Sequence, residues 1–310
     1  VPMVQRAYEL WHALEQSAGV TLLRETGGLM IGRPDSALVQ GARLSAQAHR
    51  LRQEALGAAE ITARFPALRP ERDMVAVWEP RAGVLFADAC ITAHLAQGRH
   101  YGAELRYEES MLRWQPERDD IRVFTTQGEC RARQLIVTAG AWISAFFPDL
   151  PLRVERQVLF WFDHASASEM FIPERCPVHL WQFDGRRFFY GFPDLGKGVK
   201  VAFHHGGEIT TVDAVRRQVE ASEVEEIRTS LRRFVPTADG TSLATTVCLY
   251  TNTPDEHFLI DRNPAHPQVL IASACSGHGF KFSPVIGEIL ADLAQDKRPR
   301  FDLSLFRWRH

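Results

Sequence analysis

The 310-residue sequence has no apolar run approaching the ~20 residues that a bilayer-spanning helix needs; stretches such as Leu135-Ile136-Val137 and Val269-Leu270-Ile271 are short. It has almost no net charge. Lys plus Arg is 36, Asp plus Glu is 38, and the balance is −2 at pH 7. A nucleic-acid partner normally meets a basic face, so that class of partner has no electrostatic support. Cysteine is sparse: Cys90, Cys130, Cys176, Cys248 and Cys275 are odd in number, and none forms a CxxC pair. This argues against a disulfide framework or a zinc site and makes a reducing cytoplasm the expected compartment. GxSxG, HExxH and Walker A patterns are absent, which removes the usual hydrolase elbow, zinc protease and P-loop readings. The opening Val-Pro-Met-Val-Gln-Arg has no apolar signal-peptide segment and no initiator Met, so it need not mark the start of the gene.

What is present is an ordinary globular mix, 45% hydrophobic and 24% charged, long enough for roughly two domains. Helical spacing runs over 3–18 and is closed by Gly19. Two strands flank Gly27-Gly28, a helix is predicted over 36–57, and 74–80 alternates as a strand. A helix over 88–101, a strand over 104–107 and strands over 121–125 and 132–137 follow. Residues 152–205 are β-rich, 212–221 and 223–234 read as helices, and 242–250 reads as a strand. Leu135–Trp142 and 269–294 each run from an apolar strand through a small-residue turn into a helix. Such units offer backbone N–H groups to an anion or a cofactor ring. An α/β chain that enters a β-rich segment and returns implies two interleaved domains, α/β plus α+β.

Three clusters could carry chemistry. His204 and His205 are adjacent in a predicted strand, so their side chains should face opposite ways and not share a metal. Asp255-Glu256-His257 reads either as an acid–base cluster or as a polar turn after Pro254. In Ser276-Gly277-His278-Gly279-Phe280-Lys281, a lysine sits at a helix start, where a cation is mildly unfavourable. An anionic ligand would explain it; a lysine reaching solvent would too.

SGHGFK at 276–281, CLYT at 248–251, PDEHFLID at 254–261, YGFP at 190–193 and LIVTAGAW at 135–142 resemble the monomeric sarcosine oxidase and N-methyltryptophan oxidase family. These are FAD-dependent oxidases of the D-amino acid oxidase-like superfamily. The resemblance runs through the chain in one order, and 287–303 leans towards the N-methyltryptophan branch. It implies a doubly wound FAD-binding domain (1–22, 85–155 and 253–310) interleaved with a mixed-sheet substrate domain (23–84 and 156–252). It implies an N-methyl amino acid and oxygen as small-molecule partners, with formaldehyde and hydrogen peroxide as products. Cys248 matches the thiol that binds FAD covalently, with Cys275 as the competing thiol. Lys200 matches the lysine over the flavin that promotes reaction with oxygen, His204 a histidine near the substrate amine, and Tyr190 a pocket tyrosine. Lys281 matches the partner of the substrate carboxylate, and Tyr250 a tyrosine beside the flavin. Gly277, His278, Gly279 and Phe280 would line the flavin's pyrimidine edge, while Gly140 and Trp142 would pack against the cofactor. No side chain need act as a strong general base.

One family feature is missing. The sequence has no GxGxxG unit for the FAD pyrophosphate, and Val1-Pro2 aligns about sixty residues into the family pattern. The arginine expected beside Lys281 is missing with it. An incomplete FAD-binding domain with an open sheet edge is therefore expected. The alternatives are an inactive remnant or fragment of such an oxidase, or an oxidase of another secondary amine such as pipecolate.

Overall fold

The computed structural model describes residues 1–185 and 187–308. The first half contains α1 (Pro2–Ala18), β1 (Leu23–Glu25), β2 (Gly28–Gly32), α2 (Ala37–His49), β3 (Glu54–Gly57), α3 (Ala58–Arg64), β4 (Val75–Glu79), β5 (Gly83–Leu85) and α4 (Ala87–His100). Then come β6 (Met111–Pro116), β7 (Ile121–Thr125), β8 (Gly128–Ala132), β9 (Leu135–Val137), β10 (Arg153–Phe162), β11 (Val178–Phe183), β12 (Arg187–Gly191), β13 (Val199–Phe203) and β14 (Glu208–Thr210). The chain closes with α5 (Ala221–Phe234), β15 (Ser242–Asn252), β16 (Leu259–Arg262), β17 (Val269–Ser273) and α6 (Ser283–Ala294).

One layer system is built on the small sheet β16-β17-β9, in which β17 pairs parallel with β9 and antiparallel with β16. Every residue of β17 is buried, as a central strand covered on both faces should be. Its side chains alternate between two cores. Leu270 and Ala272 meet Ala7, Trp11 and Leu14 of α1 and Val285, Ile286 and Ile289 of α6. Val269 and Ile271 meet Ile121 and Val123 of β7, from the antiparallel meander β6-β7-β8. Buried positions 7, 11 and 14 lie on one stripe of α1, which ends where Gly19 turns left-handed (φ 66°). Arg6 ties α1 to α6 through Glu288 at 2.6 Å.

The second system is a nine-stranded mixed sheet ordered β14-β10-β13-β12-β11-β2-β4-β3, with β15 along the other edge of β10. One face packs on α5, whose Ile227, Leu231 and Phe234 are buried; Phe234 stacks on Trp181 at 4.7 Å. Register determines the opposite face. Glu155 lies opposite Tyr250, Gln157 opposite Cys248, Trp161 opposite Lys200, and both Leu159 and Tyr190 opposite Ala202. Residues directly opposite share a face, so the chemistry-bearing side chains of four strands converge on one surface.

Several local expectations give way. The helix expected over 36–57 stops at His49, where Arg50 turns left-handed (φ 52°), and its tail becomes β3. No strand forms over 104–107; the strand lies at Met111–Pro116. Of the helix expected over 212–221, residues 212–220 are not helical, because the segment supplies carbonyls to buried Arg156 instead, and Ala221 already opens α5. The expected strand over 132–137 breaks, giving β8 to the meander and β9 to the small sheet. After β9 the chain makes a 3-10 turn, Gly140–Ala145, rather than an α-helix.

Candidate active site

The Ser276–Phe280 turn joins the two layer systems. Buried Ser276 pins it: its hydroxyl donates to the carbonyl of His257 at 2.9 Å and accepts from the Thr253 N–H at 3.3 Å. Gly277 is left-handed (φ 74°), and a Cβ there would lie 2.5 Å from the Tyr250 ring and 2.9 Å from His204. A Cβ on Gly279 would lie 1.6 Å from the Ala274 carbonyl. Both positions need glycine. Trp11 supports the turn from α1, donating its indole N–H to the Lys281 carbonyl at 3.0 Å and stacking on Phe280. His278 Nε2 donates to the Glu256 carbonyl at 3.1 Å, and burial lowers the pKa of that imidazole.

Gly277, His278 and Phe280 line cavities on both sides of the turn. The larger, about 850 Å³, also meets Tyr8, Trp11, Trp161, Phe192, Lys200 and Lys281. Its volume and mostly apolar wall suit a small-molecule ligand. The other, about 570 Å³, is lined by Thr138, Gly140, Tyr250, Cys275, Gly279 and Gly287 among others. A Cβ added at Gly140 or Gly287 meets nothing, so these residues open onto the cavity.

Two cations of the larger cavity differ in exposure: Lys200 is half-buried and Lys281 is exposed. Lys200 Nζ lies between the rings of Trp161 (5.4 Å) and Phe192 (5.1 Å), a cation–π arrangement. Burial lowers its pKa, and the nearby Cys248 opposes that shift. Lys281 opens into the cavity and donates from Nζ to the His278 carbonyl at 2.8 Å. Protein atoms crowd its ammonium and push its pKa down to about 8. A charged lysine disfavoured by its surroundings is ready for an anion.

Behind the turn, His204 Nδ1 is hydrogen-bonded to the Tyr250 hydroxyl at 3.2 Å, and Tyr190 lies within hydrogen-bonding reach of Tyr250. Burial, then neighbouring His205, pushes His204 down to about 4, so it is neutral at pH 7. Burial raises the Cys248 thiol, while Lys200 pulls it back. Cys275 is turned towards Ser273 and Thr251.

Most residues expected from the sequence are brought together here. Cys248, His204 and Tyr190 lie behind the turn and line neither cavity, and Trp142 stands apart, 54% exposed and lining neither. The expectation that His204 and His205 point apart fails. His205 adopts a left-handed backbone (φ 60°) just beyond β13, and the two rings lie 4.2 Å apart. Asp255-Glu256-His257 is a polar turn in which Asp255 accepts from the His257 N–H at 3.2 Å. Sequence reasoning missed Trp11, Trp161 and Phe192, which read as ordinary helix and strand apolar positions. It also missed Glu155, whose only sequence signal is a carboxylate inside an apolar strand.

A sheet–helix layer system threaded through a mixed sheet, with a glycine turn between, is the fold of FAD-linked amino acid oxidases. An amino acid oxidase essential for nikkomycin biosynthesis superposes with a TM-score of 0.84 at 22% identity over 99% of this chain and 82% of its own. Glycine oxidase from Geobacillus kaustophilus gives 0.82 at 18% identity over 100% and 83%. The family model for FAD dependent oxidoreductases matches residues 1–293. The chain is 42% identical to a monomeric sarcosine oxidase of Streptomyces avermitilis, over 99% of this chain and 81% of that one. It is 32% identical to an N-methyl-L-tryptophan oxidase of Salmonella arizonae, over 99% and 82%. The chain belongs to the FAD dependent oxidoreductase family.

The residues present fit the ring end of FAD. The cavity beside Tyr250 has larger apolar side chains such as Leu249, Phe280, Ile286 and Leu290 in its wall, and between them Gly140, Ala272, Ala274, Gly277, Gly279 and Gly287 let a flat ring approach the backbone. Among the described residues no helix is long and apolar enough to cross a membrane.

Proposed function

We propose that the protein is an oxidase of N-methyl amino acids. One mole each of N-methyl amino acid, oxygen and water gives amino acid, formaldehyde and hydrogen peroxide. The observation that carries this reading is the placement of Lys200 and Lys281 in one aromatic-walled cavity, across the glycine turn from the slot that suits the flavin ring. FAD, when bound, takes up the two electrons of amine oxidation.

The chain's own residues then have distinct tasks. Lys281 holds the substrate carboxylate and so orients the N-methyl carbon. Neutral His204, tied to Tyr250 through Nδ1, adds no positive charge beside the substrate amine. Lys200 keeps a fixed cation where oxygen gains negative charge, and its surrounding rings exclude the water that would screen it. Cys248, beside Lys200, is the thiol assigned to covalent attachment of FAD. The interleaved division (1–22, 85–155 and 253–310 against 23–84 and 156–252) is supported by the apolar cores, each of which stays within one of these sets.

Trp11, Trp161, Phe192 and Phe280 favour a substrate with an aromatic side chain over sarcosine, which would leave most of the 850 Å³ unfilled. Anaerobic mixing with N-methyltryptophan, sarcosine and pipecolate, followed by flavin absorbance, tests this. N-methyltryptophan is expected to bleach the flavin fastest. Faster bleaching by pipecolate would replace the reading with a cyclic-amine oxidase, and a protein that binds no flavin would end it.

A further inference from the structure

We propose that Glu155 and His205 form a positioning pair behind His204 and Tyr250, which fixes His204 as the uncharged partner of the Tyr250 hydroxyl. The proposal rests on reading His204 as a substrate-side residue. Glu155 sits in β10 opposite Tyr250 and is 4% exposed. A buried carboxylate is costly unless its oxygens are satisfied. Here one oxygen accepts from the Gly207 N–H and from Gln157 Nε2, both at 2.6 Å. The other accepts from Asn252 Nδ2 at 2.5 Å and faces His205 Nδ1 at 3.7 Å.

The backbone is bent to make this meeting. His205 takes a left-handed φ of 60° that a non-glycine residue adopts only at a cost. Gly207 has no room for a side chain, since a Cβ would lie 1.9 Å from the Arg156 carbonyl. The bend folds the His205 ring back to 4.2 Å from His204 and 5.5 Å from Tyr250. The His205 ring therefore lies against His204 while its Nδ1 faces Glu155.

Titratable groups on the neighbouring elements bear on the two rings differently. His205 meets Glu155 of β10 and Glu256 of the turn after β15, and both hold its proton on. Burial is the largest influence against a proton on His204; His205 comes next, then His278 and Lys281, while Glu155 favours one. Arg156 and Arg216 border the cavity beside His205 but are paired with Glu223, and Arg187 is paired with Glu226. A protonated His205 thus sets a charge beside His204 that Glu155 balances, and Lys281 adds a second cation facing the same ring.

The test is histidine NMR titration of the flavin-loaded protein, alongside the pH profile of flavin reduction. In the parent, His205 is expected to hold its proton at higher pH than His204. His205→Asn, with a side chain that tolerates left-handed backbone, should raise the His204 midpoint by about one pH unit. The acid limb of flavin reduction should move with it. His205→Lys, which restores the cation, should reverse both shifts. Glu155→Gln should lower the His205 midpoint; if that buried variant does not fold, His205→Asn and His205→Lys decide alone. An unmoved His204 midpoint in His205→Asn would overturn the proposal. If the His204 midpoint moves but no N-methyl amino acid reduces the flavin, the pair stands and the assigned substrate fails.

Discussion

Gly277 lies so close to Tyr250 that a methyl group on its Cα would sit 2.5 Å from the ring edge. The glycine turn and the β15 tyrosine are therefore one packed unit, in which Gly277 belongs to the walls of both cavities and Tyr250 to the smaller. Gly277→Ala adds that methyl at a left-handed φ of 74°. The turn or the tyrosine must shift, and His204 lies 2.9 Å from the same point. The expected outcome is a folded protein whose flavin reduction slows at least about tenfold, since small displacements cost reacting geometry. Stopped-flow reduction and circular dichroism check the two parts; unchanged reduction would mean that the turn does not position the reacting groups.

Cys248 and Cys275 face different surroundings. Cys248 shares its sheet face with Lys200, whose charge favours the thiolate that a thioether bond requires. Cys275 is held by Ser273 and Thr251. Cys248→Ser is expected to release yellow flavin on acid precipitation, while Cys275→Ser keeps it in the pellet. The opposite pattern would assign the attachment to Cys275.

Much of this site was legible because its signals are local. SGHGFK at 276–281 carries its glycines and lysine in one run, and the structure makes it the wall between two cavities. Lys200 and His204, four residues apart around a strand end, both lie on the chemistry-bearing side. The pair formed by Glu155 and His205 was not legible. It depends on the β10–β15 register and on one left-handed residue, neither of which leaves a pattern in neighbouring sequence. Trp11 was hidden for a related reason. On α1 it reads as one more core residue, and only the tertiary fold brings its ring onto Phe280. The same holds for 212–220, where helical composition lost to the carbonyl demands of buried Arg156.

Arg156 is the main charged group buried under that segment, at 3% exposure, and it pairs with Glu223 at 2.6 Å. The Glu223 carboxyl resists burial, which would raise its pKa; Arg216 and Arg156 together pull it down to about 2. A carboxylate depressed below its ordinary 4.5 stabilises the fold above that pH and loses the effect as pH falls towards 2. Arg156→Met is expected to cost about 3 kcal/mol at neutral pH, a melting-point fall of roughly 5 °C for a chain of this size. The difference from the parent should narrow as pH drops below about 4.5. Thermal melts at pH 7 and pH 3 check this; a gap equally wide at both would remove the Glu223 contribution.

Lys281 gives the sharpest pH signature. Desolvation by the surrounding protein atoms lowers its ammonium from the usual 10.5 to about 8, although the residue as a whole is exposed. A cation with a lowered pKa is charged below that value and neutral above it. If the ammonium binds the substrate carboxylate, kcat/KM should decline as pH rises through about 8, through KM more than through kcat. Lys281→Met should raise KM about ten- to a hundredfold, the worth of a charge-assisted hydrogen bond. It should also abolish the decline near pH 8, because no titrating group then remains at that position. The control is an N-methyl amino acid amide, which lacks the carboxylate. The parent and Lys281→Met should handle the amide alike. A large difference with the amide would show that Lys281 acts on something other than the carboxylate.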